Sequence, residues 1–177
     1  ILNKSSVVSH LNKTYIIPEV TDLGGAVRCT DIGGKKISHL YLELLRRLDV
    51  MLHDFDISKK RSYFEIGGGF GANLHLLISN FTNLKKFIYL DIAPNLYIGT
   101  QYLKAFYGDH VVDCVRSNQN TKLSFTDDNE LEILCILPHQ IENLNCSVDV
   151  FHCANSFIEM PQIVVENYIT WIKKLIN

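Results

Sequence analysis

RSYFEIGGGFGANLHLLISN, residues 61–80, is the stretch that decides the fold. Ser62–Ile66 is a short run rich in β-forming side chains, and Leu74, Leu77 and Ile78 beyond it repeat at helical spacing. Between them, four of the chain's ten glycines fall within the five positions 67–71. Glycine at a strand-to-helix junction permits positive φ and lets a ligand approach the backbone with no Cβ in the way. The helix that follows starts with unpaired N–H groups, which attract an electronegative ligand group. So dense a cluster is costly for a turn that binds nothing.

Reading outward, KFIYLD (Lys86 to Asp91) fits a second strand. Pro94 then suits the first turn of a helix whose inner face carries Leu96, Thr100, Leu103 and Tyr107, with Gly108 as its C-terminal cap. Val111 to Phe125 reads as a strand and a loop, Leu131 to Leu137 and Val148 to Ala154 as buried strands. Pro161 opens a last helix with Val164, Tyr168, Ile172 and Leu175 inward. Upstream, Tyr41, Leu44, Leu45, Leu48, Met51 and Leu52 predict an amphipathic helix from Ser38 to about His53-Asp54. Residues 1–37, with the pairs Gly24-Gly25 and Gly33-Gly34, read as a loosely packed N-terminal arm, and residues 38–177 as one domain. Alternating apolar strands and helices predict an α/β fold: a Rossmann-like, doubly wound, mainly parallel sheet. Ligands then belong at the carboxyl ends of the strands, near the switch in strand order.

Composition narrows the function classes. The 177 residues are 47% apolar, enough for one buried core. With 17 basic and 19 acidic side chains, a general nucleic-acid-binding surface is not expected. No apolar run approaches a membrane span. Five cysteines without C-x-x-C spacing read as reduced thiols in a cytoplasm, and His10, His39, His53, His75 and His110 are scattered without metal-ligand spacing. His75 is expected to face solvent, and the acidic run Asp127 to Glu130 to be a solvated loop.

Two ligands compete for the glycine loop. Gly67 to Ala72 satisfies G-x-G-x-x-A, which suits a dinucleotide. From Glu65 the same residues satisfy acidic-x-G-x-G-x-G, which resembles the first motif of S-adenosylmethionine-dependent methyltransferases. A carboxylate two residues before the first glycine favours the second, because a sulfonium and an ammonium gain from a nearby negative charge and a pyrophosphate does not. Glu65, Gly67, Gly68, Gly69 and Gly71 are therefore candidate cofactor residues. Asp91 ends the second strand, where a carboxylate accepts both hydroxyls of a ribose. Ile92 follows it and is counted with it.

The residues also resemble a known family, the sugar O-methyltransferases of bacterial polysaccharide clusters. The likeness runs from about Gly24 to Trp171 and rests on FEIGGGFGANLHLL, YLDIAPNLYIGTQYL, LPHQIENL and FHCANSFIEMPQIVVENYI. It departs at DIAPNL, where the family would have D-x-P-E-N-L, but Asp91 is retained. The resemblance implies a class I methyltransferase using S-adenosyl-L-methionine on a sugar hydroxyl of a small-molecule or glycan substrate. It implies adenine contacts at Gln140 and Ile141. Asn155 is a candidate for the amino-acid end of the cofactor, and Glu159 or His152, past the VDVFHCA strand, for the base; Ser156 lies with them. It also implies a seven-stranded sheet, whose C-terminal strands have no counterpart here. An exposed edge would then invite pairing, in a homodimer for instance. A nicotinamide-dependent oxidoreductase and a non-catalytic cofactor-binding module remain the alternatives.

Overall fold

The structure, a computed structural model, describes residues 4–21, 23, 26–117 and 121–177. The chain divides into two compact units, Ile1–Lys59 with Ala72–Thr82, and Lys60–Gly71 with Asn83–Asn177.

The first unit holds helices α1 (Lys4–Thr14), α2 (His39–Asp54) and α3 (Ala72–Asn80), with the antiparallel pair β1 (Cys29–Ile32) and β2 (Lys35–Ser38). The arm expected to be loose thus carries a helix and a hairpin. Gly33 and Gly34, at φ 62° and 83°, form the two-residue turn that such a hairpin favours. The Gly24-Gly25 pair lies outside the described residues. Ser38 caps α2 by accepting the Leu40 N–H. Tyr15 donates its hydroxyl to Asp49 at 2.8 Å, tying the segment after α1 to α2. His75 is 8% exposed and lies 3.1 Å from the Tyr41 hydroxyl, so the expected solvent-facing histidine is a buried one. Burial pushes its pKa down to about 4, which keeps the ring neutral.

The second unit is built on a five-stranded sheet, β3 (Ser62–Ile66), β4 (Lys86–Leu90), β5 (Val111–Asp113), β6 (Glu132–Ile136) and β7 (Val150–His152), in the order β5-β6-β4-β3-β7. All four pairings are parallel. Residues of β3 and β4 pair from Ser62↔Lys86 to Ile66↔Leu90, so the two strands end level. From β3 the chain moves to one side through β4, β5 and β6, then returns to the other side as β7. The strand order therefore switches beside β3.

Strand alternation assigns each face its cover. Phe64, Ile66, Ile88, Leu90, Leu134 and Ile136 form one apolar cluster with Tyr168, Ile172 and Leu175 of helix α5 (Gln162–Leu175). Burying each large side chain of this kind is worth about 1.5–3 kcal/mol. Val164, expected inward with them, is exposed, because the buried face of α5 begins only at Tyr168. The opposite face meets helix α4 (Ala93–Tyr107), whose Gly99 sits against the Tyr89 ring where a Cβ would overlap it. Helices on both faces of a parallel sheet make the unit Rossmann-like and doubly wound. Among the described residues no helix is long and apolar enough to cross a membrane.

Candidate functional site at the carboxyl ends of the strands

The level ends of β3 and β4 bring two loops out side by side. Gly67 continues the ladder by donating its N–H to Leu90 O at 2.8 Å. Gly67, Gly69 and Gly71 take φ values of 76°, 63° and 88°, which side-chain-bearing residues rarely adopt. The glycines differ in what else they make room for. At Gly67 a Cβ would overlap the Ser156 side chain outright. At Gly68 it would come within 2.7 Å of Glu65 Oε2, and at Gly71 within 3.0 Å of Leu103. At Gly69 it would meet nothing within 4 Å. The Gly69 peptide is instead gripped by β4: its N–H donates to Asp91 Oδ2 at 2.8 Å, and its carbonyl accepts the Tyr89 hydroxyl.

Asp91 is 6% exposed. Its Oδ1 accepts from Ile92 N at 2.7 Å and from Asn95 Nδ2 at 3.4 Å. Burial pushes its pKa above the usual carboxylate range; the N–H donors of Ile92 and Gly69 and the Asn95 amide pull the other way, and Glu65 adds to the rise. Glu65 is 3% exposed on the α4-side face of β3, and Glu65 Oε1 lies 3.0 Å from Nδ1 of His152, its register partner on β7.

A cavity of about 420 Å³ opens here, a size suited to a small molecule. Gly67, Asp91, Ile92, Asn155 and Glu159 are on its wall, so five sequence candidates come together. Asn95, Pro138, Ser156, Met160 and Tyr168 join them. The β7–α5 turn that supplies Asn155 to Glu159 is held from below: Ser156 N and Phe157 N both donate to the Cys153 thiol, and Ile158 N donates to Asn155 O at 3.0 Å. The charged groups of the wall are Asp91 and Glu159; among its described residues there is no Lys, Arg or His. Such a wall repels anions and suits a neutral or cationic ligand.

The other candidates lie elsewhere. Glu65, Gly68, Gly69 and Gly71 support the loop from behind its wall-forming residues. His152 packs its ring 5.9 Å from that of Tyr63 and pairs with Glu65, off the cavity wall. Gln140 is buried with both amide ends used inside the protein: its oxygen accepts Leu137 N at 2.8 Å and its nitrogen donates to Cys114 O at 2.6 Å. Ile141 belongs to the apolar cluster under the sheet, and Pro138 takes the wall position. Tyr168 escaped sequence reasoning, although it was the only inward residue of α5 with a polar tip, which is the signal that marks it.

No protein family matches the sequence, and no curated protein does. Among solved structures the chain is similar to "Structure of the Mitomycin 7-O-methyltransferase MmcR", at 16% identity and a TM-score of 0.49. The similarity covers 77% of this chain and 36% of that one, so the chain spans about a third of that protein's length.

Proposed function

We propose that the protein is an S-adenosylmethionine-dependent O-methyltransferase acting on a sugar hydroxyl. The observation that carries the reading is the cavity at the strand-order switch, walled by Gly67, Asp91 and Glu159 and lined by no cationic side chain among its described residues. A nicotinamide dinucleotide would set a pyrophosphate against two carboxylates with no cation to offset them. A sulfonium nucleoside has the opposite charge.

In this reading Asp91 accepts a ribose hydroxyl, with Asn95 beside it, and exposed Ile92 covers the adenine. Gly67, Asn155 and Ser156 face the amino-acid end. When bound, the cofactor supplies an electrophilic methyl group. Glu159 accepts the proton of the acceptor hydroxyl as that oxygen takes the methyl, so the products are a methyl ether, a neutral thioether and protonated Glu159. A positioned base of this kind contributes about 10²–10⁴ in rate. His152, bonded to Glu65, supports the loop in this account and does not serve as the base. All five cysteines are unpaired, in keeping with a reducing compartment such as the cytoplasm.

Isothermal titration with S-adenosylhomocysteine and with NAD tests the cofactor. Binding of the thioether and not of NAD is expected; the reverse would end the reading in favour of an oxidoreductase. Transfer of radiolabelled methyl to a panel of glycan acceptors tests the reaction. Cofactor binding with no transfer to any hydroxyl would leave a non-catalytic binding module.

A further inference from the structure

Tyr168 lies on α5 and is 5% exposed, with its ring stacked on Phe157 at 6.1 Å and 22°. The ring belongs to the apolar cluster under the sheet, and the same residue forms part of the cavity wall. A tyrosine buried this deeply ordinarily satisfies its hydroxyl within the protein. Two other buried tyrosines do so: Tyr89 donates to Gly69 O, and the Tyr41 hydroxyl lies 3.1 Å from His75 Nδ1. Among the described residues Tyr168 Oη has no hydrogen-bond partner and is not one of the fully buried atoms, so it opens onto the cavity that the residue lines, with Asp91 and Cys153 as its charged and polarisable neighbours. An aliphatic side chain would fill the same place at no polar cost, as Ile172 and Leu175 do on the same helix.

We infer that Tyr168 is a ligand-binding residue, its phenol donating a hydrogen bond to an acceptor atom of the nucleoside held beside Asp91. This rests on the cofactor reading above. Burial first, then Asp91 and Cys153, hold the phenol above its usual range, so it stays protonated and serves as a donor rather than a base. Tyr168 and Asp91 then divide the work: the carboxylate accepts from the ribose hydroxyls, and the phenol donates to a nucleoside oxygen or nitrogen that the acidic wall cannot satisfy.

The test is Tyr168→Phe, which removes one oxygen and keeps the ring. Titration with S-adenosylhomocysteine and with adenosine should show each bound about tenfold more weakly than by the wild-type protein. The melting temperature should be unchanged, because no protein partner is lost. Unchanged affinity for both probes would overturn the inference and leave the cofactor reading standing, as would a loss confined to S-adenosylhomocysteine. A melting temperature that falls together with affinity would make the hydroxyl structural and overturn it too. If the wild-type protein binds neither probe, the cofactor reading fails and this inference falls with it.

Discussion

The two ends of the five-stranded sheet treat their polar groups in opposite ways. At the amino ends Lys86 opens β4 and spends all three of its N–H donors, on Thr126 at 2.9 Å, Asp128 at 2.9 Å and Glu132 at 3.0 Å. Asp149, just before β7, accepts from Arg61 N, Ser62 N and the Ser62 hydroxyl. At the carboxyl ends Asp91 is buried at a cost to its charged form, and Tyr168 and Glu159 turn polar atoms to a cavity. Donors that outweigh burial make a charge part of the strand framework; a carboxylate left at a cost to its charged form is, on the proposed reading, kept for a ligand. On that reading the difference separates a structural end from a binding end.

Lys86→Met should break the comparison's structural half most visibly. It leaves Glu132, 11% exposed at its side chain, without its cation. Removing one partner of such a pair costs about 3 kcal/mol, read as a lower urea midpoint, with affinity for S-adenosylhomocysteine unchanged. A loss below about 1 kcal/mol would place the pair outside the supports of the fold.

Next in size is a paired exchange, Asp149→Asn and Asp91→Asn. The first should cost about 2 kcal/mol of stability, because charged hydrogen bonds are lost, and leave binding alone. The second should leave stability within about 0.5 kcal/mol while weakening S-adenosylhomocysteine binding at least about tenfold. Equal effects of the two on stability would erase the contrast between the ends.

Acid titration sharpens the same contrast. Burial raises the Asp149 pKa, but the Arg61 and Ser62 donors more than offset it, so the folded value is lowered. Its stabilisation is therefore present above the unfolded carboxylate range and lost as pH falls through the folded value. The Asp91 pKa is raised, chiefly by burial, so its charged form costs stability at neutral pH, and that cost is relieved as pH falls through the folded value. Any stability gained by Asp91→Asn should shrink on acidification before the Asp149→Asn deficit does. His75 acts on every variant alike. With its folded pKa near 4 against 6.5 unfolded, it removes up to about 1.4 kcal/mol of stability per pH unit between those values on the way down. Differences between variants and wild type cancel it.

Gly67→Ala is the smallest and most local of these changes. Its φ of 76° alone costs about 1 kcal/mol, and overlap with Ser156 adds to that. Gly69→Ala, with open space around it, should cost only the first part. Adding Ser156→Gly to Gly67→Ala should recover the difference in urea unfolding. If the double variant is no more stable than Gly67→Ala, the β7–α5 turn does not rest on the glycine loop.

Much of this was legible in the order of residues. The glycine cluster between a β-rich run and a helical repeat located β3, its loop and the following helix, and Pro94 and Gly108 bracketed α4. Local chemistry governs those features. What escaped depends on partners distant in sequence. His75 is buried beside Tyr41, 34 positions away, and Asp128 of the acidic loop reaches Lys86, 42 positions away. β5 takes only the first three residues of the stretch read as a strand and a loop, and α1 hides in a polar stretch. At the site, Gly67, Asp91, Asn155 and Glu159 reach the wall because strand ends place them there. Gln140 and Ile141 were expected from likeness to a family, and the turn after β6 uses them to cap and pack itself.

The most direct test maps backbone amide shifts in solution as S-adenosylhomocysteine is added. The account predicts that Gly67, Gly69, Asp91, Ile92 and Asn155 shift while Lys86, Glu132 and Asp149 do not. Shifts gathered at the amino ends of the strands, or a carboxyl end that stays silent while the compound binds, would contradict it.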